Sequence, residues 1–259
     1  MQLIGQLGAS QHLIDWFRKI YIAESQKFEQ LFLISRGKGY NFSINSEFKN
    51  VLKLRNKIEV FVDIGANRGR YTDEILRKFP NAKGYLFEPN INLFKFLKTK
   101  YKNKNIIIYN KALSNKIGSE KLYLEKKDGR STIIKRRLDH YDIKFKKNYR
   151  IKVSKMSNIF KKNINTNVDF CKMDIEGNEF KCLLGFENIL NNFKCIQFEF
   201  NGCNIDSKTF FQDFWYFFKK KNFKLYRITP SGPLKIKNYT EEDENFSMNN
   251  YIAVNKKLT

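Results

Sequence analysis

A chain of 259 residues is long enough for one sizeable α/β core with an added N-terminal piece, and too short for two complete domains. Its four cysteines, Cys171, Cys182, Cys195 and Cys203, form no C-x-x-C pair; this argues against a zinc or disulfide framework and for a reducing, cytoplasmic setting, with neither a metal nor a membrane-spanning segment expected. The formal net charge of +23 has two readings, solvated lysines in a sequence crowded with Lys, Asn, Ile, Phe and Tyr, or attraction to an anionic substrate or nucleic acid.

From about Ser10 to Ser35, Leu13, Phe17, Ile20, Phe28, Leu31 and Phe32 recur at helical spacing, which predicts a helix capped by Ser10. Gly37 and Gly39 interrupt it, and Ser46 is placed to cap a short helix carrying Phe48, Val51 and Leu52. Residues 1–57 are therefore expected to be a helical extension, packed against the core or against a second subunit in a homodimer, ahead of a domain over residues 58–259. His12, beside the apolar stripe, has no evident partner.

Val60, Phe61 and Val62 form an apolar run too short for anything but a buried strand, and it ends at Asp63 where glycines begin. Gly65 and Gly69 permit positive φ and a close ligand approach, and the first amides of the next helix face that ligand. Asn67 stands where a dinucleotide fingerprint needs its middle glycine, so the pattern is D-x-G-x-x-x-G, similar to motif I of S-adenosylmethionine-dependent methyltransferases. A helix bearing Ile75, Leu76 and Phe79 is stopped by Pro80, and the next strand, Tyr85 to Phe87, ends in Glu88, where a carboxylate can accept from both ribose hydroxyls. A helix over Asn90 to Lys100 and a strand over Ile106 to Tyr109 follow.

Residues 125–150 are crowded with charge and turn at Gly129, which reads as a solvated loop above the sheet. Arg130, Arg136, Arg137 and His140 in that loop are candidates to receive a phosphate or acidic sugar, and His140 is a conceivable base. A further buried strand, Val168 to Met173, leads into Asp174, Glu176 and Gly177, and Asn178 is placed to cap a helix with Phe180, Leu183 and Leu184 inward and Gly185 near its end. Cys195 to Phe200 makes a strand with Glu199 near its end. Lys208 to Lys219 is a helix with Phe210, Phe211, Phe214, Phe217 and Phe218 as a core face, and Phe223 to Ile228 pairs with Tyr251 to Val254. Strands alternating with helices argue for a mostly parallel sheet, whose ligands bind beyond the carboxyl ends. Asp63, Glu88, Asp174 and Glu199 all fall at such ends.

The order of these parts, with F-E-P-N at Phe87 to Asn90, N-x-A-L at Asn110 to Leu113, K-x-D-x-E-G-x-E at Lys172 to Glu179 and N-Y-I-A-V at Asn250 to Val254, resembles the FkbM family of methyltransferases. The resemblance implies a Rossmann-like class I methyltransferase fold, a mostly parallel seven-stranded α/β sheet with helices on both faces. It implies S-adenosyl-L-methionine as cofactor, held by Asp63, Gly65, Ala66, Asn67, Gly69, Glu88, Pro89, Ala112, Leu113 and Asp174. It also implies O-methylation of a hydroxyl, on a sugar or glycan precursor of bacterial capsule or surface polysaccharide type. The candidate bases are Glu176 and Asp174, then Glu199, with Arg130 and His140 toward the substrate. The acids have other readings, as caps of the turn or as ligands of a divalent ion. An RNA ribose 2'-O-methyltransferase, favoured by charge alone, and a cofactor-binding protein without catalysis are the competing functions.

Overall fold

The computed structural model describes residues 11–38, 42–125, 131–141, 145–164 and 166–258. Ser10, Gly39, Gly129 and Arg130 lie outside the described residues, as do the side chains of His12, Leu13 and Phe17. In chain order the elements begin with α1 (Gln11–Ser35), α2 (Ile44–Leu54), β1 (Val60–Ile64), α3 (Arg70–Lys78), β2 (Lys83–Phe87), α4 (Ile91–Lys100) and β3 (Ile106–Tyr109). An insertion follows, containing β4 (Ala112–Leu113), β5 (Gly118–Glu125), β6 (Ser131–Thr132) and β7 (Phe145–Ser154). The second half has α5 (Met156–Ile159), β8 (Phe170–Met173), α6 (Glu179–Leu184), β9 (Cys195–Phe200), α7 (Cys203–Ser207), α8 (Phe211–Lys220), β10 (Phe223–Thr229), β11 (Gly232–Ile236) and β12 (Asn249–Asn255).

Eight strands form the main sheet in the order β11-β10-β12-β9-β8-β1-β2-β3, parallel from β9 to β3 and antiparallel at the other end. Alternate residues of the buried strands feed two apolar layers, as their period of two requires. Val62, Met173, Ile196 and Phe198 pack with Met156, Leu183 and Phe214 on one face, while Phe61, Phe170 and Cys195 pack with Val51, Ile75 and Leu97 on the other. Each fully buried phenylalanine contributes roughly 1.5–3 kcal/mol by leaving water.

The sheet has eight strands where seven were expected. The addition is β11, an edge strand hairpinned onto β10. Pro233 has no N–H to donate and is tolerated because the strand lies at the edge.

The end of the stretch over residues 125–150 is a second correction: residues 145–150 belong to β7, which pairs with β5 over almost its whole length inside a four-stranded sheet ordered β4-β7-β5-β6, while residues 133–138 are irregular chain as a loop requires. Tyr149, Ile151 and Val153 share one face with Leu122 beneath them, while Asn148, Arg150 and Lys152 are exposed on the other. That alternation is the pattern of a half-buried strand, hidden among many lysines.

Smaller differences concern caps and the edges of helical faces. Ser43, not Ser46, caps α2; its hydroxyl accepts the Ser46 N–H at 3.2 Å. Asn178 precedes α6 without capping it, and the Glu179 carboxylate takes the turn's amides instead, accepting from Ile175 at 2.8 Å and Gly177 at 2.9 Å. Phe210 and Leu184 are exposed, whereas Phe211, Phe214 and Phe218 are buried, because α8 begins only at Phe211.

The segment from Phe42 through α2 is built into the second apolar layer. Phe48 meets Tyr71 edge-on at 5.9 Å between centroids, and Tyr71 stacks on Phe170 at 5.8 Å. By contrast α1 leaves Ile20, Tyr21, Ile22, Phe28, Leu31 and Phe32 exposed. Among the described residues no helix is long and apolar enough to cross a membrane.

Candidate active site

The turn after β1 can be made only with glycine at two places. Gly65 has φ +84°, and a Cβ there would lie 2.1 Å from the Asp174 carbonyl oxygen; Gly69 has φ +74°, with the Tyr101 hydroxyl oxygen 2.3 Å from the same imagined atom. Gly65 and Ala66 donate their amides to the Phe87 carbonyl, which ties the turn to the end of β2. Asn67, at φ +49°, points its N–H at Glu88 Oε2, and the Asn90 N–H reaches Oε1, each at 2.8 Å. Asn110 Nδ2 holds the carbonyls of Glu88 and Pro89 at 2.9 and 3.0 Å. Burial pushes the Glu88 carboxyl up to about 7 against the pull of its two amide donors.

Beside this carboxylate lies a cleft lined by Gly65, Asn67, Glu88, Pro89, Ala112 and Leu113 together with Asp174 and Asn178. Asn178 donates its Nδ2 to Leu113 O at 2.9 Å, while its buried Oδ1 has no partner among the described residues. That unpaired acceptor suits a ligand N–H, and each Glu88 oxygen has a lone pair left for a hydroxyl. The cleft therefore fits a nucleoside with an exocyclic amine and a ribose diol.

A polar row crosses the sheet under the glycine turn. Asp63, Lys172 and Gln197 are register neighbours on β1, β8 and β9. Asp63 is buried and accepts from Thr72 Oγ1 at 2.6 Å; desolvation raises its carboxyl, outweighing Lys172. Lys172 bonds Asp174 Oδ2 at 2.8 Å and lies 4.9 Å from the centroid of the Tyr71 ring. Burial alone would lower its ammonium, yet Asp174, Glu47 and Asp63 hold it above the ordinary range. Gln197 accepts from the Tyr71 hydroxyl and donates at 2.7 Å to Glu47, a carboxylate that α2 inserts from the N-terminal segment. Above the row a second pouch, lined by Ile44, Asp63, Ala66, Arg70 and Tyr71, shares Gly65, Asn67 and Asp174 with the first cleft.

Three acids close the other side. Asp174 hydrogen-bonds Glu199; burial opposes its ionisation, but Lys172 and this bond hold its carboxyl below the usual value. Glu199 is driven well above the carboxylate range by burial, then by Asp174, Glu176 and Glu179. Glu176 sits at φ +55° with its carboxylate 3.5 Å from Arg136 Nη1 and accepting from Cys203 Sγ at 3.0 Å; its carbonyl takes the Thr132 hydroxyl. Glu176 and Glu199 open onto a groove walled by Arg136, Arg137, His140, Phe246 and Met248.

The residues named from sequence thus fall into three adjoining spaces. Gly65, Asn67, Glu88, Pro89, Ala112, Leu113 and Asp174 line the cleft, Asp63 and Ala66 the pouch, and Glu199 and His140 the groove, with Glu176 common to cleft and groove. Gly69 lines none of these and begins α3. Arg136 lies between Glu176 and Asp206, 3.5 Å from each, so it is not open to an anion. Glu47, Gln197 and Tyr71 were not named from sequence, Asn178 was read only as a cap, and Lys172 only as the first residue of K-x-D-x-E-G-x-E. Of these only Lys172 carried a signal, as a lone charge inside the buried run of β8. Among the described residues no group of His, Cys, Asp and Glu is arranged to hold a metal ion.

The Methyltransferase FkbM domain family matches the chain over residues 63–225. No curated protein sequence matches it. Among solved structures it is similar to M. capricolum TrmK in complex with S-adenosyl-homocysteine, with 13% identity over 84% of this chain and 69% of that one and a TM-score of 0.46. It is also similar to a SAM-dependent O-methyltransferase from Thermotoga maritima, at 9% identity over 83% of this chain and 66% of that chain, TM-score 0.42. Precorrin-6y C5,15-methyltransferase from Geobacter metallireducens gives 12% identity, coverage of 82% and 87%, and a TM-score of 0.43.

Proposed function

Because the chain belongs to the FkbM family of methyltransferases and uses S-adenosylmethionine, we propose that it methylates a hydroxyl of a sugar or glycan precursor, with Glu199 taking the proton. The carrying observation is the position of Asp174, which borders both the cleft and the pouch and hydrogen-bonds Glu199, a carboxyl that opens on the groove.

Glu88 is suited to the ribose hydroxyls, the Asn178 Oδ1 to the adenine amine, and the pouch around Asp63, Ala66 and Arg70 to the amino acid end. Bound there, S-adenosylmethionine supplies an electrophilic methyl group whose sulfur departs neutral. The protein's part is then to align an acceptor oxygen and to remove its proton. As the acceptor oxygen takes up the methyl group, its hydroxyl proton would pass to ionised Glu199. A carboxylate with raised proton affinity is the better base for a hydroxyl. Glu176 suits that role less, since Arg136 neutralises it and Cys203 already donates to it.

The groove favours a neutral, hydroxyl-rich acceptor. Glu176, Glu199 and Asp206 present carboxylates that accept from sugar hydroxyls, and Phe246 and Met248 give an apolar wall for the carbon face of a sugar ring. The test is transfer of labelled methyl groups to nucleotide-linked sugars, polysaccharide and total RNA in parallel. Label in a carbohydrate fraction supports the reading, and label confined to RNA overturns it.

A further inference from the structure

The 25-residue helix α1 spans about 37 Å and presents large apolar side chains to solvent along its length, with Ile20 41%, Phe28 70%, Leu31 63% and Phe32 58% exposed. An exposed face of this kind marks an interaction surface. Its charge is unlike that of the rest of the chain. The helix carries three acids, Asp15, Glu24 and Glu29, and three bases, Arg18, Lys19 and Lys27, so it is formally neutral in a protein of net charge +23. A neutral helix gains nothing electrostatic from an anionic membrane or nucleic acid, and it escapes the like-charge repulsion that any other face of this protein would meet on self-association.

Along this face Ile20, Glu24, Lys27 and Leu31 follow one another at intervals of four, three and four, the seam of a coiled coil. The seam is symmetric about the point between Ser25 and Gln26. Turning a second copy end for end about that point sets Ile20 against Leu31 and Glu24 against Lys27, each contact occurring twice. A parallel arrangement would instead set Glu24 against Glu24 and Lys27 against Lys27. Within one chain Glu24 and Lys27 already pair at 2.9 Å, but with side chains 55% and 68% exposed that bond contributes little. Its place in the middle of an apolar stripe is explained when a second copy covers it.

We propose that α1 is the dimerisation element of this protein, joining two copies as an antiparallel helix pair in which Glu24 of each faces Lys27 of the other. Two oppositely charged positions at the centre of the seam, flanked by Ile20 and Leu31, fix register and orientation. The two domains are thereby joined through a contact made by neither catalytic groove, and this inference does not depend on the identity of the acceptor.

Sedimentation velocity on the full chain tests it. A dimer is expected at micromolar concentration. Glu24→Lys and Lys27→Glu should each weaken self-association about tenfold or more, an equimolar mixture of the two single variants should form the mixed dimer, and the double reversal should restore self-association. Circular dichroism confirms that each variant is folded, and Leu31→Asp provides an independent disruption of the seam. A wild-type chain that stays monomeric, with or without binding to anionic vesicles, overturns the proposal. A dimer that neither single reversal weakens overturns the antiparallel register, since a parallel pair already opposes like charges.

Discussion

Asp174, just past the end of β8, and Glu199, near the end of β9, hydrogen-bond one another and yet are driven in opposite directions: Asp174 is held below the ordinary carboxylate value and Glu199 well above it. The asymmetry comes from Lys172, which bonds Asp174 and only weakly offsets the burial and the three neighbouring acids that act on Glu199. Two carboxyls in contact do not both ionise readily, so one proton is held mainly on Glu199 until the pH rises.

The rate of methyl transfer should therefore rise with pH through a value well above that of a free glutamate, as Glu199 loses its proton and becomes able to accept another. Glu199→Gln copies the protonated form in size. It should lower turnover by about 100-fold or more while leaving the affinity for S-adenosylhomocysteine within a few-fold. A pH–rate profile and calorimetry on the variant check both halves. An active Glu199→Gln enzyme would remove Glu199 as the base.

Glu88 makes a separate pH prediction for the cofactor alone. Its carboxyl titrates at about 7, and only the ionised form offers all its lone pairs to a ribose diol. Affinity for S-adenosylhomocysteine should be nearly constant above about pH 8 and fall progressively as the pH drops below about 7. Glu88→Gln should bind weakly at every pH and lose this dependence. Titration calorimetry across that range reads it directly, and a flat profile for the wild type would contradict the assigned contact.

The acids at the strand ends were legible because they terminate short apolar runs at predictable turns: Asp63, Glu88, Asp174 and Glu199 could be placed at one edge of a parallel sheet from local pattern alone. What could not be read was which acid faces which space. Asp63 lines the pouch and not the nucleoside cleft, and Glu176 is tied to Arg136 across a separation of forty residues. Such pairings are set by tertiary packing, which no periodicity encodes. The Glu47–Gln197–Tyr71 connection was hidden for the same reason, since it joins three elements that are distant in sequence. The β5–β7 sheet is different. Its alternation was present in the sequence, but the exposed Lys121, Lys147 and Lys152 obscure the buried Leu122, Ile151 and Val153 that mark the strands.

Gly65→Ala tests the glycine turn by sterics. The new methyl would meet the Asp174 carbonyl oxygen at 2.1 Å on a backbone with φ +84°, so the turn or the end of β8 must move. The conformational cost alone is about 1–2 kcal/mol, and the displaced Asp174 borders both the cleft and the pouch. The variant should melt lower than the wild type and bind S-adenosylhomocysteine more than about tenfold more weakly. Unchanged affinity would mean that the turn does not shape the site.

Asp169 anchors the opposite end of the same strands. Its buried carboxylate accepts from the Glu59 and Val60 amides at 2.8 and 3.0 Å and pairs with Arg55 at 2.6 Å and Lys194 at 2.8 Å, joining the start of β1 to α2 and β9. Burial works against ionisation, but these four donors together hold the carboxyl below its usual value. A depressed folded-state value stabilises the protein above the unfolded-state value and ceases to do so as the pH falls through the folded-state one. Asp169→Asn should accordingly cost about 2 kcal/mol at neutral pH, less than for a fully buried pair because both cations are part exposed. Urea unfolding at about pH 7 and about pH 3 should show that difference shrinking in acid. A gap of equal size at both values would mean that the shape of the side chain, and not its charge, holds the strands together.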